Sequence, residues 1–367
     1  MLSSPAMPTV RVPLGRRSYS VHVGRGLLGQ APGLLDGLRG RRLALVSNAR
    51  VFALHGRAVE RALRHVGPVT RLLLPDGERF KSLATWRRLL DQMVAAGLGR
   101  DAVVVALGGG VVGDLAGFAA ASFMRGVDFV QVPTTLLAMV DSSVGGKVGV
   151  NHPAGKNLVG AFHQPLAVLA DTALLDTLPP REAQGGAYEM LKCGLIGDRP
   201  LFESVRRHGG RLQDWSSVAL EQAIAASVAL KARIVSKDER EGGLRRVLNL
   251  GHTLGHAFEA ASAYRRFTHG EAVGWGLLGA AWLARGRGLI DEGTGELIVH
   301  AVERLGPRPP VRDLEAGAVL TALARDKKAR AGRVPFVLPT AIGRVEIVPD
   351  IGRGELRRAL RALSASG

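Results

Sequence analysis

The sequence predicts two domains: an N-terminal α/β domain with a parallel sheet at residues 1–179, and a mostly α-helical C-terminal domain at residues 180–367. Three observations carry this prediction. Short β-rich runs alternate with stretches of helical length through the first half, a Pro179-Pro180 pair interrupts that rhythm, and long amphipathic stretches follow. Alternation of this kind implies a parallel sheet covered by helices on both faces. A chain of 367 residues, 46% hydrophobic and 22% charged, has enough apolar surface for two ordinary cores.

Taken in order, the N-terminal segment MLSSPAMPTVRVPLGRR lacks an apolar stretch of signal-peptide length and reads as a strand. Residues 41–48 (RRLALVSN), 69–75 (VTRLLLP), 102–108 (AVVVALG) and 129–133 (FVQVP) read as buried strands. Residues 141–165 read as a long glycine-rich loop, and a loop of that length inside a compact domain is usually functional. Proline breaks the preceding element and opens the next helix well, so Pro179-Pro180 marks the boundary. Beyond it, helical periodicity covers residues 181–196, 217–238, 247–262 and 270–287, with late strand-like runs at 334–338 and 345–348. The longest apolar run, residues 272–284, is too short to span a bilayer.

Composition removes several function classes. One cysteine, Cys193, rules out an intrachain disulfide and suits a reducing, cytoplasmic setting, with no membrane partner. The formal net charge of +17 raises nucleic acid as a partner, but the arginines are scattered and aromatics make up only 5%. No nucleic-acid partner is therefore expected; a small anionic substrate needs positive sites as well. Only eight of the 49 Lys and Arg residues are lysine, and most of those lie in chemistry-bearing stretches. A lysine is a compact, tunable point charge where arginine is a permanent planar fork.

Four stretches carry that chemistry. After the strand AVVVALG, Gly108 to Asp114 (GGGVVGD) meets the GxGxxG spacing and opens a helix, where free N–H groups favour a phosphate; a tight strand-to-helix turn explains the glycines equally. Several β/α units precede these glycines, so they do not sit on the first βα turn of a Rossmann domain, and Asp128, at ribose-binding distance, is set aside. Upstream, PDGERFK offers Glu78 and Lys81 either to a nucleotide or to a surface turn. The passage at 133–165 carries Lys147, Lys156 and Asn157 on glycine-permitted backbone, a candidate anion clamp. In NLGHTLGHAFE, His252 and His256 share a helical face at i, i+4, but Thr253 stands where HExxH needs its glutamate, which excludes zinc-protease chemistry. Glu189, among apolar helical neighbours, needs a cation if buried. With two of the three histidines His252, His256 and His269 it would leave an open position on zinc.

Together PDGERFK, GGGVVGDLAGF, MRGVDFVQVPTTLLAMVDSSVGGKVGVNHPAGKN, GGAYEMLK, RRVLNLGHTLGHAFE, HGEAVGWG and DKK resemble the 3-dehydroquinate synthase family of sugar phosphate cyclases over most of the chain. The resemblance implies an NAD-binding α/β domain, a metal-binding helical domain and a homodimer. The implied activity converts the sugar phosphate 3-deoxy-D-arabino-heptulosonate 7-phosphate into 3-dehydroquinate and phosphate, with catalytic NAD and one divalent metal, zinc or cobalt. By motif position it implies Glu189, His252 and His269 as metal ligands, leaving His256 for substrate or proton transfer. For NAD it implies Asp76, Gly77, Glu78 and Lys81, then Gly109, Gly110, Val111 and Asp114, and further on Thr134, Thr135, Lys147, Lys156 and the turn from Leu174 to Thr177. For substrate it implies Asp141, Lys147, Asn157 and Lys192, with Lys231, Arg245, Asn249, His256 and one of Lys327 or Lys328. Arg125 in MRG looks like the residue that reaches a neighbouring subunit's site.

Four positions depart from the family's pattern: Asn48 where aspartate is common, Arg50 where a small polar residue is usual, and Tyr188 and Cys193 around the Glu189/Lys192 pair. The nearest rival is another sugar phosphate cyclase, of inosose or valiolone synthase type. Lys156-Asn157 and the Lys231/Arg245 pair favour a carboxylate-bearing substrate, which those rivals lack. A polyol dehydrogenase has no need of so many substrate lysines.

Overall fold

The computed structural model describes residues 7–325 and 334–366. The chain forms two compact units, Met1–Leu178 with Lys231–Ser236, and Pro179–Leu230 with Lys237–Gly367.

The first unit is built on strands β1 (Thr9–Val12), β2 (Tyr19–Gly24), β3 (Leu43–Asn48), β4 (Val69–Leu74), β5 (Val103–Gly108), β6 (Asp128–Pro133), β7 (Lys147–His152), β8 (Gly155–Phe162) and β9 (Ala167–Asp171). Seven of them make one sheet in the order β1-β2-β9-β6-β5-β3-β4, parallel except where β1 meets β2. Its central strands are buried at every residue because side chains leave both faces into apolar layers. On one face Ala44, Val46, Val104 and Ala106 meet Leu89 and Met93 of a helix at Leu83–Ala95 and Val112 and Leu115 of another at Gly110–Ser122. On the other, Leu43, Leu45, Val103 and Val105 meet Ala31, Val59 and Leu63. Those residues come from short helices, and with them the chain-order labels are α1 (Ala31–Leu34), α2 (Ala49–Val51), α3 (Arg57–Arg64), α4 (Leu83–Ala95) and α5 (Gly110–Ser122).

The strand order fixes where a ligand belongs. From β3 the chain moves outward to β4 and then returns to place β5 on the other side of β3. Loops leaving the carboxyl ends of β3 and β5 therefore diverge, and the crevice at such a switch point is where open α/β sheets bind ligands.

The passage expected as a loop at 141–165 is largely ordered pairing. It opens in a π-helical turn at Ala138–Ser142 and continues as the antiparallel hairpin β7–β8. Its glycines mark close strand approach rather than looseness: a methyl group on Gly149 or Gly160 would collide with the opposing backbone at Val159 or Val148. Strands β2 and β9 are further elements that the sequence reading did not separate out.

The second unit contains α6 (Pro180–Gly197), α7 (Arg199–His208), α8 (Ser217–Lys237), α9 (His252–Ala261), α10 (His269–Gly286), α11 (Glu292–Glu303), α12 (Ala316–Arg325), the hairpin β10 (Val334–Ala341) and β11 (Arg344–Ile351), and α13 (Arg353–Ser366). Residues 231–236 of α8 group with the first unit. Pro180 sits in the first turn of α6, where its missing N–H costs nothing. Helices α6 and α10 are buried almost all round, as central helices of a bundle are. The stretch expected as one helix at 247–262 is broken instead: a 3-10 turn at Leu244–Asn249 ends, Gly251 takes φ 77°, and α9 starts at His252. Only glycine adopts that conformation cheaply. Among the described residues no helix is long and apolar enough to cross a membrane.

Candidate active site

At the carboxyl end of β3, Asn48 caps α2 by accepting the Val51 N–H at 2.8 Å and donates to the Asp76 carboxylate at 2.8 Å. Asp76 opens the loop after β4, and Gly77 follows it at φ 112°, a left-handed turn. After β5, Gly109 is the extended N-cap of α5, and Gly110 and Val111 form its first turn with their N–H groups free of helical partners. Thr134 is buried and Thr135 caps the next turn by accepting the Ala138 N–H at 3.1 Å. Leu174 and Thr177 lie in a 3-10 turn at Thr172–Thr177, and the Thr177 hydroxyl meets His55 Nε2 at 2.8 Å. Asp171, which the sequence reading missed, organises this corner by accepting the N–H groups of Gly26, Leu28 and Ala173 at 2.8, 2.9 and 3.0 Å. Asp128 lies at the opposite, amino end of β6, paired with Arg41 at 2.7 Å, which agrees with setting it aside.

Lys81 ends the exposed 3-10 turn at Glu78–Phe80, yet its own side chain is buried. It is only 5% exposed, and its ammonium meets the Asp114 carboxylate and the Asn157 side-chain oxygen, the latter at 2.6 Å. Burial pushes the Asp114 carboxyl up and the Lys81 charge opposes that. Asn157 holds φ 53°, with its N–H on the Asn151 side chain at 3.0 Å, and Asn151 in turn donates to Glu78 at 2.7 Å. Thus Glu78, Lys81, Asp114 and Asn157 form one polar cluster under the β7–β8 hairpin. Lys231 is buried and donates to Asp141, to its carbonyl at 2.6 Å and its carboxylate at 2.5 Å. Lys147 is exposed and Lys156 half-buried on the hairpin. Arg125 is exposed, and with Met124 it makes two consecutive non-glycine residues at positive φ, 68° and 50°. Strain of that kind tends to persist at functional positions.

The second unit gathers the candidate metal ligands. Glu189 on α6 is fully buried; the Nε2 atoms of His252 and His269 stand 3.6 and 3.4 Å from its Oε1. A tetrahedral ion with bonds of ~2.0–2.1 Å holds its donors about 3.3 Å apart, so these three fit a zinc-like centre without large movement. The Leu250 carbonyl accepts from His252 Nδ1 at 3.1 Å, which turns the Nε2 lone pair toward Glu189. Burial, then the Lys192 ammonium, holds His252 well below the usual imidazole range, so it is neutral as a ligand must be. His269 behaves oppositely: burial alone would lower it, but the carboxylates of Glu189 and Glu259 outweigh that and hold it up at about 10. Protons therefore compete with a cation here. His256, Glu259 and His269 also cluster closely enough to hold an ion, sharing His269 with the first group.

Close backbone contacts bring the three helices together. A methyl group on Gly270 would collide with Gly185, and one on Gly276 with Gly251, so α10 lies directly against α6 and against the start of α9. Lys192, 1% exposed, lies against Glu189. Arg245 is buried with its guanidinium on the Glu239 carbonyl, and Asn249 donates to Glu241 at 3.0 Å. Asp238 shapes that segment by accepting the N–H groups of Gly242, Gly243 and Arg245, which hold its carboxyl below the usual range. His256 is exposed, its ring 5.5 Å from that of His252. Tyr188, one of the departures, is buried, with its hydroxyl on Gln184 and Arg308 at 3.0 and 2.9 Å, and Cys193 is buried too. Lys327 and Lys328 lie outside the described residues. Sequence reasoning missed Asp171, Asp238 and Glu259, although Glu259 stands one helical turn beyond His256.

A family model described as 3-dehydroquinate synthase N-terminal matches residues 71–185, and one described as 3-dehydroquinate synthase C-terminal matches residues 186–329. The relative named 3-dehydroquinate synthase from Pelotomaculum thermopropionicum is 46% identical over 97% of this chain and 97% of its own. The chain belongs to the 3-dehydroquinate synthase family. Family membership makes it an enzyme, a lyase of the 3-dehydroquinate synthase type. Among solved structures it resembles a 2-deoxy-scyllo-inosose synthase complexed with carbaglucose-6-phosphate, NAD+ and Co2+, with a TM-score of 0.89 and 26% identity over 96% of this chain and 99% of that one. It also resembles the 2-epi-5-epi-valiolone synthase of Streptomyces hygroscopicus subsp. jinggangensis with NAD+ and Zn2+, with a TM-score of 0.85 and 31% identity over 95% and 97%. Both rival cyclases share its fold at lower identity than the 3-dehydroquinate synthase.

Proposed function

We propose that this chain converts 3-deoxy-D-arabino-heptulosonate 7-phosphate into 3-dehydroquinate and phosphate, the second step of the shikimate pathway, by transient oxidation, phosphate elimination, re-reduction and aldol cyclisation. The observation that carries the reading is the convergence of His252 and His269 on one carboxylate oxygen of Glu189, in a chain 46% identical to a 3-dehydroquinate synthase. When bound, NAD supplies a hydride acceptor that is regenerated within the cycle, and zinc or cobalt supplies a Lewis acid for a ring hydroxyl.

The chain's own residues do the rest. Glu189, His252 and His269 hold the metal, with Lys192 beside them to offset charge on a substrate oxygen. The N–H groups of Gly110 and Val111 at the start of α5 receive the NAD pyrophosphate, while Asp76 and Glu78 offer acceptors to hydroxyls. Lys147, Lys156, Asn157, Lys231 and Arg245 bind a substrate that carries both a carboxylate and a phosphate; Asp141 orients Lys231. Fixed cations of this kind stabilise negative charge without reorganising during the reaction. His256, exposed beside His252, carries protons. We further place the enzyme in the cytoplasm as a homodimer in which Arg125 reaches the neighbouring subunit's site.

A substrate panel tests the assignment. Purified protein supplied with NAD and zinc should release phosphate from the heptulosonate phosphate without accumulating NADH, lose activity on chelation and regain it with zinc or cobalt. A preference for sedoheptulose 7-phosphate or glucose 6-phosphate would move it to a rival cyclase, and full turnover by chelated protein would sink the metal assignment.

A further inference from the structure

We infer that Arg181 and Glu271 form a positioning pair that sets His269 at its distance from Glu189, so that the metal affinity of this chain depends on an ion pair that touches neither the metal nor the substrate. The inference rests on the metal reading above. Glu271 is 3% exposed along its side chain and serves two neighbours at once. It accepts the Thr268 N–H at 2.7 Å while Thr268 accepts the Glu271 N–H at 3.3 Å, a capping box that starts α10. It also receives both arms of the Arg181 guanidinium, Nε at 2.6 Å and Nη2 at 2.7 Å, and Nη2 reaches the Arg266 carbonyl at 2.9 Å as well. The carboxylate that begins α10 is thus the one that ties it to α6.

His269 is the first residue of α10, directly inside that cap. Along α6, Arg181, Gly185 and Glu189 recur at i, i+4 and i+8, which places them on one face. Each meets a different residue of the first turn of α10: Arg181 binds Glu271, Gly185 touches Gly270 and Glu189 faces His269. The glycine contact sets how closely the two backbones approach, and the bidentate fork stops α10 turning about that contact. An arginine fork is directional where a lysine ammonium is not, so charge alone does not replace it.

The test measures metal binding on the purified full-length chain, apart from turnover. Zinc affinity is read by competition with a chromogenic chelator, and site geometry by the visible absorption of the cobalt-loaded protein. Supporting residues of metal ligands typically change affinity by about 10–100-fold. Arg181→Met and Glu271→Gln should each weaken zinc binding within that range and alter the cobalt spectrum. Glu271→Gln keeps the capping box, so its loss isolates the ion pair. Arg181→Lys should fall between wild type and Arg181→Met, and it reports on the pair should Arg181→Met fail to fold. The control is Arg287→Met, which breaks another, half-buried ion-pair network in the same unit, with Glu355 at 2.7 Å and Asp350 at 3.1 Å. It should lower thermal stability and leave zinc affinity unchanged. Wild-type zinc affinity and cobalt spectrum in folded Arg181→Lys and Glu271→Gln would overturn the inference while leaving the metal reading intact. If wild-type protein binds no zinc, both fall.

Discussion

Lysine identity is the sharpest residue-scale feature. Lys81, Lys192 and Lys231 are each 6% exposed or less and each lies against a carboxylate. A guanidinium is longer, planar and cannot shed its proton. Lys192→Arg should therefore keep the charge and lose most activity, and Lys147→Arg should do the same through the substrate. Lys237, exposed at the end of α8, has no assigned role, and Lys237→Arg should leave kcat/KM unchanged. Steady-state kinetics on the three variants decide the matter: uniform behaviour would end the argument. At this scale the histidine spacing left His252, His256 and His269 equivalent, because i, i+4 periodicity does not report which ring faces inward. Burial of Glu189 and the start of α10 at His269 bring two of the rings to one oxygen; His256 stays exposed.

Glycine content decides how the elements fit, and one helix holds a built-in comparison. Gly276 faces the backbone of Gly251, immediately before His252, whereas Gly286 at the other end of α10 has open space where a methyl would go. Gly276→Ala should destabilise the chain by about 1–3 kcal/mol through overpacking and weaken metal binding by displacing His252. Gly286→Ala should be neutral or stabilising by up to about 1 kcal/mol, from helix propensity alone. Denaturant midpoints check the signs, and equal effects would mean the contact at Gly251 is not rigid. Glycine also explains what the sequence concealed. The central strands were readable because Val- and Leu-rich runs buried on both faces have no other stable placement. Hairpin β7–β8 was hidden because Gly149 and Gly160, which permit its strands to touch, look in sequence like flexible loop. Strands β2 and β9 pair with each other across well over a hundred residues, so no local pattern announces them. The break before α9 was likewise invisible: it depends on Gly251 meeting Val273 and Leu277, a contact made only in the folded bundle.

For the whole molecule, the formal charge of +17 is a field as well as a composition. An anionic substrate is drawn in by such a field, and salt screens it over about 10 Å at 0.1 M. KM for the heptulosonate phosphate should therefore rise with added sodium chloride while kcat changes little; a flat KM would mean that only the short-range lysines and arginines matter. The charge is carried chiefly by arginine, and among the described lysines only Lys147, Lys156 and Lys237 are more than slightly exposed. Among the described residues, an acylating or cross-linking reagent therefore finds only these three lysine amines on a strongly cationic surface. Two of the three, Lys147 and Lys156, lie on the glycine-rich hairpin, so among the described residues amine labelling reads that one small region more than the rest of the surface.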